Sequence, residues 1–297
     1  MTAAPGHRYG GPWTEIKLDA VAYYLEFYTK ALSRQPFTLW YIDAFAGSGQ
    51  RDVDRETGGL HEGTPIETRT EVLAGSARRA LDIDPPFQRF VFIEWDPQRY
   101  AALRALQAER PDRNITVING DANEELLRLL RSPPWSTGSP PAGHRGVLFL
   151  DPYAMTVPWT TLEAIAATKA LDVWYLFPLG AVTRQLAHDL GAVDLHKAAS
   201  LDRIFGTPAW RTELYEQDRT IDMFGSDASD RRNADMRKIE EWFAGRLRTI
   251  FPLVSRPIRI FVDNGQQGFS LFFTMASDNP AAQQAAKKCL SSMAKKF

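Results

Sequence analysis

A chain of 297 residues is long enough for one large α/β domain with an insertion, or for two small domains. With 44% hydrophobic and 24% charged residues it reads as an ordinary globular protein, and a formal net charge of -1 excludes nucleic-acid binding by bulk charge, though not by a local basic face. The single cysteine, Cys289, excludes an internal disulfide and an all-cysteine metal site; without a signal peptide or a long apolar span, a reducing cytoplasm and no membrane are expected.

The first dozen residues, with Pro5, Gly6, Gly10, Gly11 and Pro12, read as an arm without regular structure. From Trp13 the pattern changes: Thr14 is a candidate N-cap, and Leu18, Val21, Leu25, Tyr28 and Leu32 recur at helical spacing. Lys17 falls in the first turn of that helix, where a cation opposes the helix dipole. Two readings follow, a surface lysine in water or a partner outside the helix, such as a cofactor carboxylate.

The stretch from Phe37 to Gln50 organises the rest. An apolar run (Phe37, Leu39, Trp40, Tyr41, Ile42) reaches Asp43 and breaks into Ala44-Phe45-Ala46-Gly47-Ser48-Gly49, the pattern of a buried parallel strand ending in a tight loop. In an open α/β sheet, ligands sit outside the carboxyl ends of the strands, so this loop is a candidate cofactor site. No Lys follows Gly49, which argues against a P-loop, and the charged continuation Gln50-Arg51-Asp52 does not open the helix that a dinucleotide fingerprint needs. The Asp-x-Phe-x-Gly-x-Gly pattern resembles the first motif of class I methyltransferases that bind S-adenosylmethionine.

A polar insertion, Arg51 to Gly63, is expected next, and then a helix opened by Thr64 and Pro65 and running to about Asp82. Phe90-Val91-Phe92-Ile93 reads as the second strand, ending in Glu94-Trp95-Asp96-Pro97. An acidic side chain there can accept from a ribose diol; Glu94 suits that role, and Asp96, just before Pro97, suits an N-cap for the helix from Pro97 to Ala108. After a third strand, Ile115 to Ile118, Asp121 either accepts from an adenine amino group or caps the helix from Glu124 to Arg131.

Ser132 to Gly146 is rich in Pro, Gly and Ser and reads as a loop. It leads to a fourth strand, Gly146 to Leu150, and then to Asp151-Pro152-Tyr153. A carboxylate and a carbonyl before a rigid Pro can orient an amine or hydroxyl while the ring stacks on a flat substrate. The plainer reading is an Asp-Pro turn with Tyr153 in packing.

Leu171 to Pro178 is the fifth strand. Helices are expected at Ala181 to Leu190, Ala209 to Gln217 and Asn233 to Ile250, with Arg184, Arg203, Arg211, Arg237 and Lys238 interleaved with Trp210, Tyr215 and Trp242. That composition suits nucleic-acid contact, but the acids mixed in suit a solvated helical cap better. Ile258 to Val262 and Ser270 to Met275 form a hairpin, and a helix from about Pro280 closes the chain.

The expected fold class is therefore α/β: a Rossmann-like seven-stranded methyltransferase sheet with an antiparallel C-terminal hairpin and a mostly helical insertion. The parts fall at 1–179, 180–254 and 255–297. Five scattered histidines (His7, His61, His144, His188, His196) lack ligand spacing, and no metal is expected.

Six segments carry a resemblance to a known family: Trp13-Thr14-Glu15-Ile16-Lys17, Tyr41 to Gly49, Gly63-Thr64-Pro65, Phe92-Ile93-Glu94, Asn119-Gly120-Asp121-Ala122 and Phe149 to Tyr153. Together they resemble the three-Cys-motif partner protein family, which has a class I methyltransferase fold. The resemblance implies S-adenosylmethionine as cofactor and a neighbouring three-cysteine-motif partner, an iron–sulfur protein. It implies Asp43, Phe45, Gly47, Ser48 and Gly49 at the methionine end, Glu94 at the ribose, and Trp95, Asp121 and Ala122 around the adenine.

Asp151, Pro152 and Tyr153 would then hold the acceptor, and Lys17 would meet the cofactor carboxylate. The wider resemblance is to amino-methyltransferases of nucleic acid bases, whose Asp/Asn-Pro-Pro-Tyr/Phe motif has one more Pro than Asp151-Pro152-Tyr153. The expected function is methyl transfer to a nucleic acid base or nucleoside-like substrate; the alternatives are a non-catalytic S-adenosylmethionine-binding subunit of an iron–sulfur enzyme and a plain nucleotide-binding module.

Overall fold

Long apolar runs become buried strands, and amphipathic stretches become the helices beside them. The computed structural model describes residues 12–57, 67–135, 143–217, 230–262 and 265–296. The chain divides into two units: the first holds the chain through Arg128, the segment ending at Leu150 and the chain from Ala285, and the second holds the remainder.

The first unit opens on α1 (Pro12–Leu32), whose Leu18, Val21, Leu25 and Tyr28 are buried at the expected spacing. Because this helix begins at Pro12, Thr14 lies inside it and is not its cap, and Lys17 belongs to the second turn. Both are corrections to the reading from sequence, which started the helix too late. Strand β1 (Thr38–Asp43) follows.

Next comes an antiparallel hairpin of β2 (Gln50–Thr57) and β3 (Glu67–Ala74), paired from Gln50↔Ala74 to Thr57↔Glu67. The helix expected up to Asp82 is therefore mostly strand, and only α2 (Ser76–Leu81) is helical. Thr64 and Pro65, expected to open it, lie outside the described residues, as does the arm up to Gly11.

Strand β4 (Arg89–Glu94), α3 (Pro97–Glu109), β5 (Ile115–Asn119), α4 (Ala122–Leu130) and β6 (His144–Leu150) complete the unit. Its strands run parallel in the order β6-β1-β4-β5. Strands β1 and β4 lie side by side, and β6 returns to the far flank of β1. The strand order therefore reverses at β1, and ligand sites in open α/β sheets form outside the carboxyl end of the strand where the order reverses.

At the opposite, amino-terminal ends of the strands, Trp40 Nε1 donates to His144 Nδ1 at 3.0 Å, and the Arg89 guanidinium lies 5.2 Å from the centre of the Trp40 ring. An accepting Nδ1 requires a neutral imidazole at that nitrogen. Burial and then the Arg89 charge hold the His144 pKa below its ordinary value. In the unfolded chain the same group titrates near 6.5, so as pH falls through about 6.5 the unfolded state takes up the proton first and stability declines until the folded group also titrates. His144→Asn should flatten this part of the profile: its melting temperature is expected to fall less than that of the wild type between pH 7.5 and 5.5.

The second unit contains α5 (Trp159–Ala167), β7 (Leu171–Phe177), α6 (Leu179–Gln185), α7 (Leu195–Phe205), α8 (Trp210–Glu213), β8 (Tyr215–Gln217), β9 (Asp230–Arg232) and α9 (Met236–Leu247). It continues with β10 (Leu253–Val254), β11 (Ile258–Phe261) and β12 (Gln267–Met275), and α10 (Pro280–Met293) starts in it. Strand β12 runs antiparallel to β7 on one side and to β10 and β11 on the other. Every residue of β7 is buried, and Phe243 of α9 stacks on Phe177 at 3.9 Å between ring centres.

The fold is thus mixed α/β and Rossmann-like: parallel strands, antiparallel strands at the carboxyl-terminal end of the chain, and a largely helical stretch between β7 and β10. Two expectations in that stretch need correction. Helix α7 falls where a link was expected, capped by Asp194, whose carboxylate accepts from Lys197 N–H at 2.8 Å. The helix expected from Ala209 to Gln217 stops at Glu213, because Tyr215–Gln217 pair with Asp230–Arg232 as a short ladder.

Candidate functional site

Asp43 ends β1 and is fully buried. Its Oδ1 accepts the Phe45 N–H at 3.2 Å and its Oδ2 lies 3.4 Å from the Tyr41 hydroxyl, so the carboxylate starts the turn that follows. The turn is pinned to both neighbouring strands: Ala44 N–H donates to Phe149 O at 3.2 Å and Ala46 N–H to Ile93 O at 3.1 Å.

Gly47 and Gly49 both have positive φ, +63° and +73°, where a side chain would strain the backbone. They differ in their surroundings. A Cβ on Gly49 would come within 3.0 Å of Leu106 Cδ2 in α3, whereas one on Gly47 would meet nothing within 4 Å. Gly49 seats the loop against the protein, and Gly47 keeps open space beside the main chain.

Glu94, at the end of β4, is 7% exposed and joins two elements. Its Oε2 accepts the Gly47 N–H at 2.9 Å and its Oε1 accepts the Asp96 N–H at 2.9 Å. A carboxylate offers about four lone-pair sites, so these two bonds leave capacity for a diol. Asp96 caps α3 through the N–H groups of Gln98 and Arg99, the division of labour expected for the two acids.

Trp95, between them, is 71% exposed, and Asn119 Nδ2 holds its carbonyl at 3.0 Å and that of Glu94 at 2.8 Å. The indole is therefore an open face on a fixed backbone. Asn119 escaped notice as a functional residue; its place at the last position of β5, beside the end of β4, was the available signal.

Asp121 caps α4, its Oδ1 accepting from Asn123 N–H at 2.9 Å and Glu124 N–H at 3.1 Å. Ala122 opens that helix and is buried. Phe45 and Ser48 are partly exposed in the loop, and Lys17 is buried in α1. The first unit therefore brings Asp43, Phe45, Gly47, Ser48, Gly49, Glu94, Trp95, Asp121 and Ala122 to the carboxyl ends of adjacent strands β1, β4 and β5.

Asp151, Pro152 and Tyr153 belong to the second unit. Pro152 is buried, Asp151 is partly exposed and Tyr153 is 60% exposed. Arg203 of α7 donates from Nη2 to Met155 O at 3.3 Å and steadies the segment after the tripeptide.

Among the described residues no group of three or more His, Cys, Asp and Glu side chains could hold a metal ion, and no helix is long and apolar enough to cross a membrane. The residues present do suit an adenosyl ligand: a glycine with open space beside it, a buried carboxylate with unused acceptor capacity, and an exposed indole.

No protein-family model matches this chain, and no curated protein does. Solved structures do. Protein LPL1258 from Legionella pneumophila is similar at a TM-score of 0.50 with 15% sequence identity, over 96% of this chain and 93% of that one. Trm1 from Pyrococcus horikoshii, in complex with S-adenosyl-L-methionine, has a TM-score of 0.39 and 14% identity over 97% of this chain and 72% of that one. At such identities, the likeness to the Legionella protein is one of fold.

Proposed function

We propose that this protein is an S-adenosylmethionine-dependent methyltransferase acting on a nucleic acid base or nucleoside-like substrate. The observation that carries the reading is the bond from Gly47 N–H to the buried Glu94 carboxylate at 2.9 Å, made by a glycine whose Cβ position is empty. It leaves a backbone surface and a carboxylate, side by side, for an adenosyl group. The cofactor, when bound, supplies an electrophilic methyl group.

The residues of this chain bind and orient. Asp43, Phe45, Gly47, Ser48 and Gly49 line the methionine end, Glu94 accepts from the ribose hydroxyls, and Trp95 with Asp121 and Ala122 encloses the adenine. The resemblance supports Asp151, Pro152 and Tyr153 as the residues that meet the acceptor. Alignment of the two reactants is the main catalytic contribution of such a site. The resemblance of six sequence segments to the three-Cys-motif partner family is the ground for a further element, an iron–sulfur protein that works with this chain.

The test has two stages. Calorimetry should show binding of S-adenosylhomocysteine in preference to NAD or ATP, and labelled methyl groups should then reach DNA, RNA or nucleosides. Preference for NAD or ATP would make this a nucleotide-binding module. Cofactor binding without transfer, with activity appearing only when a three-cysteine-motif protein is added, would instead favour a subunit without transfer activity of its own.

A further inference from the structure

The last helix of the chain carries a basic face that the cofactor site leaves unused. After Asp278 the sequence holds no acidic residue, yet Lys287, Lys288, Lys295 and Lys296 follow. The excess is local, because the whole chain has a formal net charge of -1.

Helical spacing sorts this segment into two faces. The buried residues of α10 are Ala286, Cys289 and Met293, spaced by three and four, and they seat the helix on the protein. Lys287, Lys288, Ser291 and Lys295 are exposed and project from the opposite side, the helical turn continuing past Met293 with Ala294 N–H donating to Leu290 O at 2.9 Å. The Ser291 hydroxyl donates to Lys287 O at 2.8 Å and that of Ser292 to Lys288 O at 3.2 Å, so both short side chains fold back on the helix. The lysines are left as the groups that reach furthest outward.

No neighbouring acid neutralises them. Lys287, Lys288 and Lys295 form no ion pair among the described residues. Lys296 Nζ lies 5.2 Å from the centre of the Tyr23 ring, which ties this end of the chain to α1. The acids one turn to either side of Tyr23 are already engaged, Asp19 by Arg79 and Glu26 by Lys30. Asp278, the nearest acid before α10, pairs with Lys169 at 3.1 Å.

We propose that Lys287, Lys288 and Lys295 hold the phosphodiester backbone of a nucleic acid strand, so that the methyl acceptor is a base carried in a polymer. The inference rests on the proposed transfer to a base and narrows it. Along the helix axis Lys288 and Lys295 stand about 10 Å apart, close to three steps of a strand at about 3.4 Å each. Ammonium groups act as point charges, which meet phosphates without reading sequence. A lipid surface fits less well: an interfacial helix enters the membrane with apolar side chains, and those of α10 are turned to the protein. A polymer, unlike a free nucleoside, can lie on this face while its target base is held elsewhere.

Fluorescence anisotropy with a labelled single-stranded RNA, and with DNA of the same sequence, tests the contact without any cofactor. The variant Lys287→Gln/Lys288→Gln/Lys295→Gln should lessen the slope of log affinity against log salt by about 2, since each phosphate contact on a single strand contributes about 0.7. Between about 1 M and 0.1 M salt that slope amounts to about a hundredfold, the loss of affinity expected at the lower concentration. RNA and DNA should be affected alike. Lys287→Arg/Lys288→Arg/Lys295→Arg should bind as the wild type does, and both variants should keep its melting temperature, because only exposed side chains change.

Unchanged slope and affinity in the Gln variant, or a wild-type protein that binds neither strand, would overturn the surface. So would a loss confined to vesicles containing phosphatidylserine, which would assign the lysines to anionic lipid. Failure of methyl transfer to every acceptor would overturn the reading of the reaction instead, while the anisotropy result would still decide what the lysines bind.

Discussion

Glu94→Ala is expected to lower the affinity for S-adenosylhomocysteine by about a hundredfold and to destabilise the free protein by about 1–3 kcal/mol, because a charged acceptor is lost and two partly buried donors are left without it. The donors are Gly47 N–H and Asp96 N–H, each 2.9 Å from a different oxygen of the carboxylate. The side chain thus acts before any ligand arrives: it ties the loop after β1 to the turn after β4 and holds Gly47 in place. The ligand effect adds to this, since the remaining lone pairs are those assigned to the ribose hydroxyls.

Glu94→Gln separates the two contributions. Its amide oxygen can keep one backbone N–H, but its NH₂ group meets the other as donor against donor. Thermal melting of the free protein and calorimetry with the ligand should both give values between those of wild type and Glu94→Ala. Unchanged melting temperature together with full affinity in Glu94→Ala would remove both the strut and the ribose role.

The buried strands were the most legible part of the chain. β1, β4, β6 and β7 are apolar along their length because neighbours cover both faces, and such runs stand out against any helix period. Their carboxyl ends were legible for the same reason, and with them Asp43, Glu94 and the glycine loop. Asp121 was harder, because one position at a strand end serves equally as a helix cap; in the free protein it caps α4.

The β2–β3 hairpin was not legible. Its sequence alternates charged residues with few apolar ones, so no apolar period marks it as a strand, although the ladder sets Arg55 opposite Arg69. Helix α7 was hidden by a different cause. It follows a run of turn-forming residues and ends on Gly206 in the left-handed conformation, so both boundaries depend on caps, the Asp194 carboxylate and that glycine.

Gly206 gives the largest stability effect expected in the second unit. Its φ of +66° is in the left-handed region, which costs a residue with a Cβ about 1–2 kcal/mol. The added carbon would also fall 2.2 Å from Cγ and Cδ1 of Trp159. That ring has little freedom to withdraw: its Nε1 donates to Glu163 Oε1 at 2.9 Å, the Arg246 guanidinium covers it at 4.7 Å, and Phe243 meets it edge-on at 6.4 Å.

Forcing a methyl group into a packed site of this kind typically costs about 1–3 kcal/mol, so Gly206→Ala should lose about 2–5 kcal/mol in denaturant unfolding. A double-mutant cycle identifies the cause. Trp159→Ala removes the clash, so the pair Trp159→Ala/Gly206→Ala should be less destabilised than the sum of the two single changes, by roughly the overpacking cost of 1–3 kcal/mol. Strict additivity would assign the whole loss to the backbone.

The consequence extends to the acceptor segment. Gly206 ends the helix whose Arg203 holds Met155 O at 3.3 Å, so a displaced α7 terminus should loosen the chain just after Asp151-Pro152-Tyr153. Faster amide hydrogen exchange at 154–157 in Gly206→Ala, under conditions where the variant remains folded, would register that coupling; unchanged exchange there would confine the damage to the helix end.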